Sequence, residues 1–150
     1  VNVTSAADMA DVVKSKAAEQ DIIIMTAAVA DFCPSHPADE KIKKNDSSYE
    51  SVIELERTED ILSYLGAHKA KGQLICGFSM ETQNMLENSK AKLAKKNADM
   101  IVANNLKVAG AGFGTDTNVV TLITADDCTE LEIMDKSCVA ARIIDRLLQM

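Results

Sequence analysis

Three short apolar runs, Ile22-Ile23-Ile24-Met25, Leu74-Ile75-Cys76-Gly77-Phe78 and Met100-Ile101-Val102-Ala103, punctuate an otherwise mixed chain. Near-continuous runs of this length are expected of parallel strands buried on both faces. Helical periodicity fills the gaps. Ser5 with Asp8 forms a capping-box pattern ahead of Met9, Val12 and Val13, predicting a helix to about Ala18. Thr58 reads as the N-cap of a second helix, with Glu59 and Asp60 in its first turn and Ile61, Leu62 and Leu65 inward, ending near Lys71-Gly72. Met85 to about Lys96 is a third, and Val1-Asn2-Val3 reads as a further strand. Three strand–helix alternations predict an α/β fold: a Rossmann-like parallel sheet with helices on both faces.

The pattern then changes. Asn45-Asp46-Ser47-Ser48 marks a turn or flap, followed by period-two alternation from Tyr49 to Leu55. Val119 to Ile123 and Glu130 to Ile133 read as strands joined by the polar turn Thr124-Ala125-Asp126-Asp127, a C-terminal antiparallel hairpin extension. A closing helix, Ser137 to Leu148, presents Val139, Ile143, Ile144 and Leu147 for packing.

At 150 residues and 47% apolar content the chain fits one domain, able to bury about 70% of its unfolded surface. No repeat, low-complexity segment or internal boundary interrupts it. A net charge of −7 disfavours nonspecific polyanion binding, so no nucleic-acid partner is expected. The absence of a membrane-length apolar run predicts no membrane association. Cys33, Cys76, Cys128 and Cys138 lack C-x-x-C spacing and read as reduced thiols, with Cys76 a small buried hydrophobe. Two histidines, His36 and His68, give little basis for a transition-metal site.

The candidate chemistry follows the first apolar run. Thr26-Ala27-Ala28-Val29-Ala30-Asp31-Phe32 lies where open α/β sheets gather ligands, just beyond the carboxyl end of a strand. Ala27 and Ala28 are small enough to let a planar ligand reach the backbone. Asp31 suits a metal or sugar hydroxyl, or a turn cap, and Lys41 of Glu40-Lys41-Ile42-Lys43-Lys44 suits a phosphate or oxyanion. By spacing alone Lys41, Lys43 and Lys44 are equivalent. Lys92 and Lys96, four apart, share a helical face, with Lys90 and Lys95 as alternatives. Gly110, Gly112 and Gly114 form G-x-G-x-G, without the spacing of a dinucleotide fingerprint.

Taken together, AAVADF, the spacer Cys33-Pro34-Ser35-His36-Pro37 and EKIKK closely resemble the nucleotide-binding half of bacterial phosphopantothenoylcysteine synthetase. Gly77-Phe78 with Glu81-Thr82, Lys92 and Lys96, Asp99 to Asn104, and Gly112-Phe113 before Asp116 and Asn118 resemble its later landmarks in the same order. The likeness spans nearly all of residues 1–150, read as a single ligase-domain portion. The family's amino-terminal glycine-rich turn and Asn-x-Ser-Ser-Gly segment have no counterpart, so the chain is expected to start after them.

The resemblance implies a cytoplasmic ligase of coenzyme A biosynthesis that activates 4′-phosphopantothenate with CTP to an acyl cytidylate and couples it to L-cysteine. It implies Mg2+ at Asp31 and catalysis by Lys41 from a closing lid. Nucleotide contacts fall on Thr26, Ala27, Ala28, Asp31, Lys41, Glu59, Asp60, Ile61, Leu62, Phe78, Lys92 and Lys96. Glu59-Asp60-Ile61 departs from the family's Asn-Pro-Asp-Ile form, which backbone contact would tolerate. A homodimer is also implied, as is an upstream decarboxylase fusion, the only part that would need FMN. Alternatives are a noncatalytic nucleotide-binding or dimerisation module and a nicotinamide-dependent oxidoreductase.

Overall fold

The structure, a computed structural model, describes residues 1–38, 40–41, 52–80, 84–105 and 114–150. In chain order its elements are α1 (Ala6–Ala17), β1 (Ile22–Met25), β2 (Phe32–Pro34), β3 (Leu55–Arg57), α2 (Ile61–His68) and β4 (Leu74–Met80). They continue with α3 (Met85–Lys96), β5 (Met100–Asn104), β6 (Thr117–Asn118), β7 (Val120–Ile123), β8 (Cys128–Glu130), β9 (Met134–Asp135) and α4 (Lys136–Leu147). The main sheet runs β1-β4-β5-β7-β8, with β1, β4 and β5 parallel and β7 and β8 antiparallel additions. The predicted α/β sheet and its antiparallel extension are therefore both present.

Side-chain alternation in the strands sends neighbours to opposite faces, and each face carries its own core. Cys76, Met100, Val102 and Leu122 pack with Val139, Ile143 and Leu147 of α4. On the other face Ile75 packs with Ala10 of α1 and with Ile61 and Leu65 of α2. Burial pushes the Cys76 thiol up to about 12, as befits an inert core residue.

Local details follow the sequence where the signal is short-range. At α1 the capping box is complete: Asp8 N–H donates to Ser5 Oγ at 3.1 Å, and Ser5 N–H to Asp8 Oδ2 at 3.0 Å. At α2 the cap lies two residues later than expected. Asp60, not Thr58, is the N-cap, its Oδ1 accepting the Ser63 N–H at 2.9 Å, and the helix stops at His68. Val1-Asn2-Val3 is not a strand, because no neighbour pairs with it among the described residues.

The strand expected from the alternation of Tyr49 to Leu55 is displaced to Leu55–Arg57, where Phe32↔Arg57 and Pro34↔Leu55 pairing exists; Val52 to Glu54 lie outside that ladder. Asn45 to Ser48 and Tyr49 to Ser51 fall outside the described residues. In the C-terminal hairpin, Thr124 N–H donates to Asp127 O at 3.0 Å and closes the turn early. Pairing consequently starts at Ile123↔Cys128, and the second strand is Cys128–Glu130 rather than Glu130 to Ile133. Ile144 is 45% exposed, the one expected apolar position of α4 that misses the core.

Gly66 fixes how α2 meets α3. A Cβ there would stand 1.8 Å from the Lys96 carbonyl oxygen, and Asn97 Nδ2 donates to the Gly66 carbonyl at 2.7 Å. The absence of a side chain lets the last turn of α3 lie directly against α2.

Candidate functional site

A cleft opens beside the carboxyl ends of β1 and β4. Ala27, Val29, Ala30 and Asp31 line one wall, Thr58 to Leu62 a second, and Phe78, Lys92 and Lys96 the floor and far side, with Met25 at the end of β1. Its volume is about 160 Å³, so a nucleotide seated here would extend over the open side.

Nine of the residues expected at a nucleotide site converge: Ala27, Asp31, Glu59, Asp60, Ile61, Leu62, Phe78, Lys92 and Lys96. Three do not line this cleft. Ala28 faces a groove shared with Val3 to Ala6 and Met9, on the α1 side. Thr26 and Lys41 are exposed outside the lining. Glu81, Thr82, Gly110, Gly112 and Phe113 are outside the described residues; Asp116 O instead accepts the Lys136 N–H at 2.9 Å, joining α4 to the preceding loop.

The lysines separate by burial. Lys92 is partly buried and the Lys96 side chain largely so, whereas Lys90 and Lys95 are exposed. Lys92 Nζ donates to the Phe78 carbonyl at 2.8 Å and has no carboxylate partner among the described residues. Lys96 Nζ pairs with Asp60 Oδ2 and donates to Ser63 Oγ at 3.0 Å. Two ammonium groups thus flank the start of α2, whose free N–H groups already favour anions.

Asp60 feels opposing influences. Burial works to raise its pKa, but the hydrogen bond from Lys96 and those from Ser63 outweigh it, leaving the carboxyl below its ordinary value. Glu59 is drawn aside to α1 by Lys14, whose Nζ lies 2.6 Å from Glu59 Oε2. Asp31 is exposed on the rim, and its carboxylate has no partner among the described residues.

The donor set fits a hard divalent cation held jointly with phosphate. Magnesium takes one or two carboxylates and completes its octahedron with water and substrate oxygens. Asp31 is the carboxylate, unpaired among the described residues, that would serve such an ion, on the same cleft as Lys92 and Lys96. Among the described residues no cluster of three or more His, Cys, Asp or Glu offers a dense protein cage.

Met25, Val29, Ala30 and Thr58 also line the cleft, unforeseen from sequence. Val29 and Ala30 sit within the AAVADF motif, which is a signal of position rather than of contact. Thr58 carried no such signal, because its partners lie far away in the chain: its Oγ1 donates to the Ala30 carbonyl and its N–H to the Asp31 carbonyl at 3.0 Å.

Comparison with known proteins places this geometry in context. Residues 1–150 match the family described as DNA/pantothenate metabolism flavoprotein C-terminal domain. The coenzyme A biosynthesis bifunctional protein CoaBC of Bacillus subtilis is 47% identical over 148 residues, covering 98% of this chain and 36% of that protein. The chain therefore spans about a third of that relative's length. The crystal structure of the C-terminal domain of a CoaBC protein superposes with a TM-score of 0.78 at 42% identity, covering all of this chain and 66% of the other. A Cab2 mutant solved in complex with phosphopantothenate-cysteine shares the fold, with a TM-score of 0.69 at 18% identity over 99% of this chain and 52% of that one.

Proposed function

Because the chain belongs to the DNA/pantothenate metabolism flavoprotein C-terminal domain family, we propose that it carries the CTP-binding half of a phosphopantothenate–cysteine ligase of coenzyme A biosynthesis. The observation supporting this most directly is the cleft itself, where Ala27 and Asp31 of the β1 end meet the α2 start, Phe78, Lys92 and Lys96. In this reading the base lies against Ala27 and the adjoining backbone, and Lys92 and Lys96 take the phosphates. Asp31 holds Mg2+, which when bound offsets phosphate charge.

The carboxylate of 4′-phosphopantothenate attacks the α-phosphorus of CTP. A P–O bond forms to the acyl oxygen as the bond to pyrophosphate breaks, giving an acyl cytidylate. The amine of L-cysteine then attacks the acyl carbon and expels CMP. No protein nucleophile is needed; the task of this chain's residues is to align the phosphates and stabilise developing charge. Lys41, outside the lining of the cleft, would act after moving inward. The same reading includes a cytoplasmic homodimer with a fused, FMN-dependent decarboxylase. Among the described residues no helix is long and apolar enough to cross a membrane.

Calorimetric titration with CTP, ATP and NAD in the presence of Mg2+ tests the site, with CTP expected to bind tightest. Equal affinity for CTP and ATP would remove the claim of base recognition, and absence of binding would favour a noncatalytic module. Ligase assays of Lys41→Gln test the catalytic assignment. Loss of a charge contact in a desolvated site is expected to slow product formation by about 100- to 1,000-fold while CTP affinity changes little. Lys44→Gln serves as control, and equal activity of the two variants would overturn the role of Lys41.

A further inference from the structure

We propose that Thr58 is a positioning residue for Asp31, fixing where its carboxylate meets the divalent cation; the inference rests on the ligase reading above. Thr58 Oγ1 donates to the Ala30 carbonyl, and Thr58 N–H donates to the Asp31 carbonyl at 3.0 Å. Those carbonyls belong to the two peptide planes on either side of Asp31. Holding both planes fixes φ and ψ of Asp31, and with them the direction of its Cα–Cβ bond.

The arrangement matters because nothing else among the described residues steers this side chain. Asp31 is exposed and its carboxylate is without a partner there, so backbone orientation decides where it points. The N–H bond continues the β2–β3 ladder one step past Phe32↔Arg57. The hydroxyl bond is additional to any ladder and needs Thr or Ser. Thr58 is free to make it because capping of α2 falls to Asp60, the residue paired with Lys96. One short segment, 58–60, thereby ties the acidic rim to the basic floor of the cleft.

Thr58→Val keeps the shape and the backbone N–H but removes the hydroxyl, and Thr58→Ser retains the hydroxyl. CTP titrations in Mg2+ and in a chelator measure how much the metal improves binding. Thr58→Val is expected to cut the Mg2+-dependent gain by about tenfold, the lower range for loss of a group that orients a metal ligand, with metal-free affinity falling much less and Thr58→Ser close to wild type. Asp31→Asn should abolish the gain, and adding Thr58→Val to it should cost nothing further.

Equal losses with and without metal, or additive losses in the double variant, would overturn the positioning role. Should Asp31→Asn leave the Mg2+ gain intact, the metal assignment of the ligase reading fails and this inference with it. If Asp31→Asn removes the gain and Thr58→Val does not, only the inference fails. A second measurement needs no ligand. Amide hydrogen exchange at position 58 is expected to quicken in Thr58→Val as the 30–31 segment loosens, and unchanged exchange there would count against the proposal.

Discussion

Helix α2 is held at each end by a lysine–aspartate pair, and the two pairs differ in what surrounds them. At its carboxyl end Lys69 Nζ meets Asp99 Oδ1 at 2.8 Å, with both side chains about four-fifths buried. Asp99 is also engaged with β4: Ile75 N–H donates to its Oδ2 at 2.7 Å, and its own N–H donates to the Ile75 carbonyl at 2.8 Å. At the amino end Lys96 is deeply placed, but its partner Asp60 is half-exposed and faces the cleft. The first pair is saturated by backbone and belongs to the fold. The second leaves one side open, so a ligand phosphate can share the Lys96 ammonium.

Substitution of Gly66 strikes at the α2–α3 contact beside Lys96 and carries the largest expected effect. Gly66→Ala would drive a Cβ into the Lys96 carbonyl, a contact with backbone that cannot be relieved by a rotamer change. A loss of about 3 kcal/mol in stability is expected from such overpacking, read from urea denaturation midpoints. A near-neutral Gly66→Ala would mean that α2 and α3 slide freely and that the Lys96–Asp60 geometry is loosely held.

Lys69→Met tests the saturated pair. It leaves a largely buried carboxylate short of its cation, so stability should fall by about 1–3 kcal/mol while CTP affinity holds. Lys96→Met inverts the pattern. Because Asp60 can turn to water, stability should drop by no more than about 1 kcal/mol, with CTP affinity down about tenfold from loss of one phosphate contact. Parallel denaturation and calorimetry on the two variants would erase the distinction if both showed the same profile.

The smallest effect concerns pH. The Asp60 pKa is lowered in the folded protein, so its contribution to stability is fully present above its ordinary value of 3.8 and is lost as pH falls through the lower folded value. Asp8 and Asp127 are lowered too, each by hydrogen bonds led by Thr4 and Thr124 respectively, so acid unfolding of the wild type reports all three. The stability difference between wild type and Asp60→Asn isolates one of them. It should be constant from pH 7 to about 5 and shrink at lower pH. A difference independent of pH would place the role of Asp60 in shape rather than charge.

Strand and helix spans were legible wherever a local pattern dictated them. Ile22–Met25 and Met85–Lys96 fall where periodicity placed them, and Ser5 caps α1 through a partner three residues away. The misplacements share a cause. Thr58 and Asp60 are both good capping residues, and the choice between them depended on Ala30, which captures the Thr58 hydroxyl across the cleft. The hairpin slipped because hydrogen bonds inside Thr124–Asp127 closed the turn before the apolar alternation of the next segment could set the register.

By itself the sequence determined the α/β class, the alternation of main-sheet strands with α1, α2 and α3, the family resemblance and most of the residues that line the cleft, because hydrophobic period and short motifs act over one or two turns of chain; the short strands β2, β6 and β9 carried no such signal. Tertiary structure alone decided which lysines matter by burial, that Asp60 rather than Thr58 caps α2, that Asp99 is saturated while Asp60 is open, and that Gly66 must be bare. Each of those depends on contacts 14 to 36 residues apart, such as Phe78 with Lys92, Ile75 with Asp99, Ala30 with Thr58, and Asp60 with Lys96. Local spacing carries no information about such contacts, since they exist only once the sheet has brought distant backbone and side chains within hydrogen-bonding distance.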